Sequence, residues 1–443
     1  MRLPLALAAT VGTRRTAPAA AIDAMKPRRV NPFAMPAPFA NPRSARLRPQ
    51  DRAKKGKFRP RSPLATGAQI RPDHAMKTPQ FTPLCLTLPA TVPFVGPETQ
   101  ERGLNRPFRA RLGANESLFG PSPKAIAALQ AAAADVWMYG DPELYDLKAA
   151  LAAHHGCAPA NIVVGEGIDG LLGYLVRLMI APGDKVVTSA GAYPTFNFHV
   201  AGYGGEIIRV PYDGDHESPQ ALLDAARSQR PKLIYLANPD NPMGSHHPGA
   251  VIEAMLEHVP EGSLLVLDEA YIDLAPQGTA PRIAPDDPRV IRFRTFSKGY
   301  GMAGLRVGYA IAAPELAQAF DKVRNHFGVG RIAQAGAMAA LADQDWLARV
   351  VDQVGAARSR LSAIAQANGA VPLASATNFV TMDLGREGDF ARATLRALTE
   401  AGVFVRMPGV APLDRCIRVS VGTEAAIFAF EQALPPALAQ ARG

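Results

Sequence analysis

Between residues 161 and 311, short aliphatic and β-branched runs alternate with longer helical stretches, and this alternation constrains the fold more than any other feature. Strands that alternate with helices are typical of βαβ units in a parallel sheet. We therefore predict an α/β fold with a mostly parallel seven-stranded sheet and helices on both faces. The predicted strands are Asn161–Val164, Lys185–Ser189, Glu206–Val210, Lys232–Ala237, Ser263–Asp268, Val290–Arg294 and Val307–Ile311.

A different pattern follows the alternating region. The Ala-rich segment Pro314–Arg360 predicts long helices, and strand-like runs come after it at Phe379–Met382, Phe404–Arg406 and Cys416–Val421. We therefore expect a smaller α+β domain at this end. Four segments are predicted. Residues 1–75 are a disordered extension or the result of a start codon assigned too far upstream, and residues 76–130 are an N-terminal arm with part of the small domain. Residues 131–330 form a large α/β domain, and residues 331–443 form the small C-terminal domain.

The net charge of the 443-residue chain is +9, and the excess of positive charge comes from its N-terminal end. Residues 1–100 hold 17 Lys and Arg against four acidic residues, a charge of +13, which leaves −4 for the remainder. They also hold 16 of the 40 prolines and show no apolar period, so we do not expect them to fold. A nucleic-acid-binding arm at 52–59, a targeting segment or an unselected extension before Met76 would each explain them. We favour the extension and predict no nucleic-acid partner.

Cysteine spacing and hydropathy bear on the location of the protein. Cys85, Cys157 and Cys416 are far apart and lack metal-ligand spacing, which is typical of reduced thiols. No uncharged apolar run reaches the ~18 residues that span a bilayer. We therefore predict a cytoplasmic protein without a metal site or a membrane partner.

Two Gly-rich loops, Gly165–Gly170 and Gly299–Gly304, match the dinucleotide-binding pattern GxGxxG. The first lies between a predicted strand and a helix, as a phosphate-binding turn should, so a nicotinamide-dependent dehydrogenase is one alternative. The acidic residue expected about 20 positions further on is missing, because the next strand ends in Ser189. The second loop follows Lys298, and a lysine has no role in a pyrophosphate turn. The glycines alone therefore do not decide the function.

Reactive side chains follow three successive predicted strands. Strand Ser263–Asp268 ends in an aspartate and is soon followed by Tyr271. The strand before it runs into the turn Asn238–Gly244, and the strand after it runs into Thr295-Phe-Ser297-Lys298, with Arg306 eight residues beyond. Because ligands gather at the carboxyl ends of parallel strands, these groups point to a site for an aromatic, phosphorylated cofactor.

At these residues the sequence resembles fold type I pyridoxal-phosphate aminotransferases and, within them, the histidinol-phosphate aminotransferase family. The resemblance implies a pyridoxal-phosphate-dependent transaminase of amino-acid biosynthesis. Pyridoxal-phosphate decarboxylases of phosphorylated amino acids share this framework and stay open as an alternative. The motifs that carry the resemblance are Ala114-Asn115-Glu116-Ser-Leu-Phe-Gly120-Pro-Ser-Pro123, Asn238-Pro-Asp-Asn241-Pro-Met-Gly244, Asp268-Glu-Ala-Tyr271, Thr295-Phe-Ser-Lys298-Gly-Tyr-Gly-Met-Ala-Gly-Leu-Arg306-Val-Gly-Tyr309 and Ile417-Arg418-Val-Ser-Val-Gly-Thr423.

The resemblance also implies a role for each cofactor residue. Lys298 would form a Schiff base with pyridoxal phosphate and then move the substrate proton, while Asp268 would keep the pyridine nitrogen protonated. Tyr271 and Asn241 would donate hydrogen bonds to the phenolic oxygen of the cofactor, and Phe196 would stack on its ring. The groups implied for its phosphate are Arg306, Thr295, Ser297 and the backbone N–H groups of Ile168 and Asp169.

Three further residues are implied in contacts beyond one cofactor. Tyr139 would reach the phosphate in the neighbouring subunit, which implies a homodimer with shared active sites. Arg418 would pair with the α-carboxylate of amino-acid substrates, and Arg406 with the phosphate of histidinol phosphate. The implied partners are therefore histidinol phosphate or an aromatic amino acid as amino donor, and 2-oxoglutarate as the 2-oxo acid acceptor.

Beyond Phe196, the sequence departs from the usual family pattern at three further places. Ser117-Leu118 stands where the family commonly has Asn-Pro, Met243 stands in place of Thr, and the segment Met407–Asp414 differs throughout. These positions adjoin the implied substrate residues, whereas the implied cofactor residues keep the family pattern except for Phe196, where most relatives have Tyr. The motifs therefore specify the reaction type more closely than the substrate.

Overall fold

The fold is that of a computed structural model, which describes residues 80–89 and 95–443. The extension predicted at 1–75, with its proposed nucleic-acid arm and targeting segment, lies outside the described residues. The alternative start at Met76 lies outside them as well. Within the described part of the chain, no helix combines the length and hydropathy that a membrane crossing requires.

Strands and helices alternate along most of the described chain. The strands are β1 (Ala110–Arg111), β2 (Ile162–Gly165), β3 (Lys185–Ser189), β4 (Glu206–Val210), β5 (Leu233–Ala237), β6 (Leu264–Asp268), β7 (Val290–Thr295), β8 (Gly308–Ile311), β9 (Val371–Pro372), β10 (Phe379–Asp383), β11 (Val403–Phe404) and β12 (Cys416–Ser420). The α-helices are α1 (Pro83–Thr87), α2 (Pro97–Leu104), α3 (Pro123–Ala132), α4 (Tyr145–His155), α5 (Gly167–Met179), α6 (Pro194–Gly202), α7 (Pro219–Gln229), α8 (Gly249–Leu256), α9 (Pro314–Ala319), α10 (Arg331–Leu341), α11 (Gln344–Ala367), α12 (Gly388–Glu400) and α13 (Glu424–Arg442).

The central sheet has the strand order β2-β8-β7-β6-β5-β3-β4. Its neighbouring strands pair in parallel except at β8, which is antiparallel to both β2 and β7. Every residue of β5 and β6 is buried, as expected for strands covered by helices on both faces. The predicted α/β fold with a mostly parallel seven-stranded sheet is therefore confirmed.

A second group of strands forms the smaller α+β part. β10 pairs antiparallel with β9 and β12, and β1 pairs in parallel with β11. Side chains from α11, α12 and α13 pack on these strands in one hydrophobic cluster. This arrangement agrees with the predicted small domain, while the boundaries at 130 and 330 stay predictions.

The strand bounds predicted for the central sheet agree with the structure to within one residue, but two other predictions need correction. Of the predicted strand Phe404–Arg406 only Phe404 belongs to β11, and Arg406 forms an isolated antiparallel bridge with Arg418. The region Pro314–Arg360 is not continuous helix, because a short α9 and a 3₁₀ turn precede a loop that contains Gly328 and Gly330. The long helices α10 and α11 begin only after that loop.

Candidate active site

A cavity of about 420 Å³ opens at the carboxyl ends of β5, β6 and β7, beside the N-terminus of α5. This is the edge of the sheet where the sequence predicted the site. The structure brings eleven of the thirteen predicted site residues to the wall of this cavity. They are Ile168, Asp169, Asn241, Asp268, Tyr271, Thr295, Ser297, Lys298, Arg306, Arg406 and Arg418.

Lys298 follows β7 and projects its amine into the cavity. Its Nζ donates a hydrogen bond to the backbone oxygen of Asn115 at 3.0 Å and lies 5.5 Å from the centre of the Tyr271 ring. Burial, together with the positive charge of Arg418, lowers the pKa of Lys298 to about 8. A substantial fraction of the amine is therefore neutral near physiological pH, as a nucleophilic lysine requires.

Asp268 ends β6 with its carboxyl group almost fully buried. Oδ2 accepts a hydrogen bond of 2.6 Å from the Tyr235 hydroxyl, and Oδ1 accepts one of 3.0 Å from the backbone N–H of Ala270. Burial raises the pKa of Asp268, and these two hydrogen bonds oppose the rise by stabilising the carboxylate. The result is a buried carboxyl group that two hydrogen bonds hold in one position, which suits a protonated ring nitrogen.

The Tyr271 and Asn241 side chains both line the cavity. The hydroxyl accepts a 3.0 Å hydrogen bond from Asn115 Nδ2, so its own proton is free to be donated toward the cavity. Asn241 accepts a hydrogen bond from Arg418, which leaves the Asn241 amide nitrogen as a donor. The two side chains therefore present donors of the kind that stabilise a phenolate oxygen.

Hydroxyl groups, a guanidinium and a helix N-terminus meet at another part of the cavity wall. Thr295 Oγ1 donates to Ser297 Oγ at 2.9 Å, and Arg306 contacts Ser297 Oγ at 3.4 Å. Gly167 begins α5 with φ +77°, and a Cβ at this position would come within 2.6 Å of the Arg306 guanidinium. The glycine thus lets Arg306 approach the helix start, where N–H groups and the helix dipole favour a phosphate.

Phe196 is a predicted site residue that the structure places elsewhere. Its side chain is fully buried in the apolar core under the sheet and stacks on Tyr235 at 4.6 Å between ring centres. It is not among the residues that line the cavity, whereas Tyr193, three residues earlier, does line it. The structure therefore does not support the predicted stacking of Phe196 on a cofactor ring, because its side chain lies in the core, whereas that of Tyr193 lies at the cavity wall.

Tyr139 is the other predicted residue away from the cavity. Its side chain is 77% exposed, and its ring packs at 4.7 Å from that of Phe327. Arg331 donates a hydrogen bond of 2.8 Å to the Tyr139 backbone oxygen. The role of Tyr139 in a neighbouring subunit stays a prediction.

Two arginines line the mouth of the cavity on the side of the small domain. Arg406 and Arg418 pair through their backbones, and Arg406 Nη2 donates to the backbone oxygen of Val95 at 2.9 Å. Burial, with a contribution from the charge of Arg406, lowers the pKa of Arg418 to about 10, which leaves it a cation at neutral pH. The pair provides positive charge for the anionic groups of a substrate.

Sequence reasoning assigned no role to three residues that the structure brings to the site. Asn115 contacts both Lys298 and Tyr271, and Tyr235 contacts Asp268. Tyr193 faces the cavity. The position of Asn115 in the Ala114–Glu116 motif was a usable signal, whereas Tyr235 lies inside a buried strand and gave none.

Comparisons with known proteins agree with this geometry. The sequence profile of aminotransferase class I and II matches residues 110–433. The chain belongs to the class I and II aminotransferase family. A solved histidinol-phosphate aminotransferase from Sinorhizobium meliloti, in complex with pyridoxal-5'-phosphate, is 52% identical with a TM-score of 0.80, over 82% of this chain and 99% of that one.

Two curated relatives of this aminotransferase carry different substrate names. A histidinol-phosphate aminotransferase from Moorella thermoacetica is 33% identical over 365 residues, which cover 82% of this chain and 94% of the relative. An aromatic amino acid aminotransferase from Rhodococcus jostii is 36% identical over 346 residues, covering 78% and 92%. The predicted family and transaminase activity are therefore confirmed, and neither a dehydrogenase nor a decarboxylase is favoured.

Proposed function

We propose that this aminotransferase exchanges an amino group between histidinol phosphate, or an aromatic amino acid, and 2-oxoglutarate. Its cofactor is pyridoxal phosphate, as the sequence predicted. The observation that carries the proposal is the position of Lys298, whose amine has a lowered pKa and lies in one cavity with Asp268, a phosphate-type anion site and two substrate-side arginines.

The donors and charges around the cavity match pyridoxal phosphate group by group. The Asp268 carboxylate suits the pyridinium nitrogen, Tyr271 and Asn241 suit the phenolic oxygen, and the cluster of Arg306 with the α5 N-terminus suits the phosphate. When bound, the cofactor supplies an aldehyde that accepts the amino group and a ring that withdraws electrons from the substrate. Lys298 Nζ would hold the cofactor through its aldehyde and would move a proton at the substrate α-carbon.

The nature of the amino donor depends on the two arginines. Both arginines line the cavity, and we assign Arg406 to the phosphate of histidinol phosphate and Arg418 to the carboxylate of an amino acid or of 2-oxoglutarate. The activities for which the two relatives are named support both donor classes. A half-reaction screen with histidinol phosphate, phenylalanine, tyrosine, histidine and aspartate tests the proposal, because a donor removes the visible absorbance of the lysine-bound cofactor. Loss of absorbance with aspartate alone would overturn the assigned donor class.

In a homodimer, Tyr139 would contact the cofactor phosphate in the neighbouring subunit. Tyr139 packs against Phe327 and both side chains are exposed, and large apolar side chains exposed together often mark an interface. The dimer can be tested by mixing Lys298→Ala and Tyr139→Phe proteins. If Tyr139 acts across the interface, a hybrid dimer has one site with both substitutions and one intact site, so the mixture regains activity. A mixture no more active than its components would contradict this arrangement.

The thiols bear on the proposed location in the cytoplasm. Cys85, Cys157 and Cys416 are all free, and Cys416 is buried. Free thiols fit a reducing compartment, which supports the cytoplasmic location. Fluorescent tagging at the C-terminus and fractionation would test it, and recovery in a membrane or secreted fraction would count against it.

A further inference from the structure

Two carboxyl groups, Glu217 and Asp240, lie in contact behind the turn that carries Asn241. Glu217 is 1% exposed and Asp240 is 2% exposed. Their side chains are within hydrogen-bonding reach of each other. Neither lines the cavity, so neither can contact the cofactor or a substrate. Two buried carboxyl groups in contact need a specific explanation, because burying one unpaired charge is already costly.

Asp240 is the hydrogen-bond acceptor that organises the turn. Its Oδ2 accepts from the backbone N–H of Met243 at 3.0 Å, and its Oδ1 accepts from the Tyr212 hydroxyl at 3.0 Å. These donors stabilise the ionised form of Asp240 and tie it to the segment that positions Asn241.

Glu217 is surrounded differently. Its Oε2 accepts 2.6 Å from the Ser189 hydroxyl, and its Oε1 accepts 3.1 Å from the backbone N–H of Ala237. Its own backbone oxygen contacts His247 Nε2 at 2.7 Å. The titratable or charged groups that face the pair from the surrounding elements are Tyr212, Tyr235, His247 and Arg418.

The surroundings indicate which carboxyl group carries a proton. Burial and the adjacent negative charge of Asp240 raise the pKa of Glu217 well above its usual range. Burial also raises the pKa of Asp240, but only to about 6, because the donors from Met243 and Tyr212 stabilise its carboxylate. Because two like charges in contact inside a protein cannot both ionise at neutral pH, Glu217 is the protonated partner.

We propose that Glu217 and Asp240 form a carboxylic acid–carboxylate pair that shares one proton and holds the Asn238–Gly244 turn in place. Glu217 donates the proton to Asp240, and Asp240 in turn accepts from the turn backbone. Through this turn the pair positions Asn241, which accepts from Arg418 and lies at the cofactor end of the cavity. Glu217 and Asp240 are thus positioning residues for the cofactor site, independent of which amino donor is used.

The pair predicts a specific dependence on pH. In the folded protein Glu217 keeps a proton that the unfolded chain releases near the ordinary pKa of glutamate. Below that pKa the protonated Glu217 contributes its full share to stability. As the pH rises above it, stability should fall, by up to about tenfold in the folding equilibrium constant per pH unit, until the folded pair ionises. Ionisation leaves two negative charges in contact, which displaces the turn and weakens cofactor binding.

Glu217→Gln is the sharpest test, because a glutamine amide donates to Asp240 without a titrating proton. Thermal unfolding of the cofactor-free protein and its dissociation constant for pyridoxal phosphate are measured from about pH 5 to about pH 9. We expect Glu217→Gln to bind the cofactor within about threefold of wild type at low pH and to lose the wild-type decline at high pH. The surface control Glu261→Gln should keep that decline.

Asp240→Asn is the complementary variant. It removes the negative neighbour of Glu217, so the decline should move by about one pH unit or more, toward lower pH. An unchanged wild-type profile in both variants would overturn the proposal, as would a Glu217→Gln protein that fails to fold or binds the cofactor more than about tenfold weaker. These measurements use no substrate, so their outcome is separate from the outcome of the donor screen.

Discussion

The amine of Lys298 donates a 3.0 Å hydrogen bond to the backbone oxygen of Asn115, a residue far away in sequence. The side chain of the same Asn115 donates to the Tyr271 hydroxyl at 3.0 Å. Its backbone adopts φ 54°, a left-handed conformation that asparagine tolerates better than most residues. One residue next to β1 therefore fixes the distance between the reactive amine and the phenol beside it.

The rate at which the cofactor-free protein captures pyridoxal phosphate should follow the titration of Lys298. Only the neutral amine attacks an aldehyde, and the pKa of Lys298 is lowered to about 8. The rate should rise about tenfold per pH unit below that pKa and level off above it. Stopped-flow absorbance measures the profile, and a rate that still rises tenfold per unit near pH 10 would argue against a lowered pKa.

Asp268→Asn should lower kcat by on the order of 10²–10³-fold while the protein stays folded. The amide keeps the shape of the carboxylate but cannot pair with a protonated ring nitrogen. Tyr235→Phe removes the 2.6 Å hydrogen bond to Asp268 and should lower kcat by about tenfold. Steady-state kinetics with unfolding curves for both variants check this, and an Asp268→Asn enzyme as active as wild type would refute the role.

We expect Arg406 and Arg418 to recognise different substrates. Arg406→Gln should raise KM for histidinol phosphate by about 10–100-fold and change KM for glutamate little, because the lost charge-assisted bonds serve the phosphate. Arg418→Gln should instead raise KM for glutamate and 2-oxoglutarate. Parallel KM measurements for these substrates decide the matter. Equal effects of both substitutions on every substrate would show that the arginines act only through the general charge of the cavity.

We expect substitution of Phe196 to lower mainly the stability of the fold and substitution of Tyr193 to weaken mainly cofactor binding. Phe196→Ala removes a fully buried ring and should cost about 3–5 kcal/mol of unfolding free energy. Tyr193→Ala removes a cavity-lining ring and should weaken pyridoxal-phosphate binding by about tenfold with a smaller loss of stability. Denaturant unfolding and cofactor titration of each variant separate the two effects. A Phe196→Leu protein with weakened cofactor binding but unchanged stability would restore the original assignment.

The sheet and the cofactor end of the site could be predicted from sequence because local patterns determine them. The buried strand Leu264–Asp268 reads as an apolar run that ends in an acid, and the carboxyl edge of a parallel sheet is a known place for ligands. Lys298 and Arg306 follow from the same reasoning, since both come soon after a predicted strand. Their arrival at one cavity agrees with that expectation.

Contacts between distant segments could not be predicted in this way. Phe196 and Tyr193 are both aromatic and three residues apart, and only packing against Tyr235 shows that Phe196 is turned into the core. The Glu217–Asp240 pair joins a loop after β4 to a turn after β5, and no spacing rule indicates it. Such pairs depend on tertiary packing, which a single sequence does not specify.

The most direct test of the central claim is borohydride reduction of the cofactor-loaded protein before and after addition of an amino donor, read by peptide mass spectrometry. We expect pyridoxal phosphate to be fixed on Lys298 before the donor is added, and to be released from Lys298 with loss of the visible band once histidinol phosphate or an aromatic amino acid is present. A label on any other lysine, or a label on Lys298 that no amino donor removes, would contradict the assignment of this chain as a transaminase that works through Lys298.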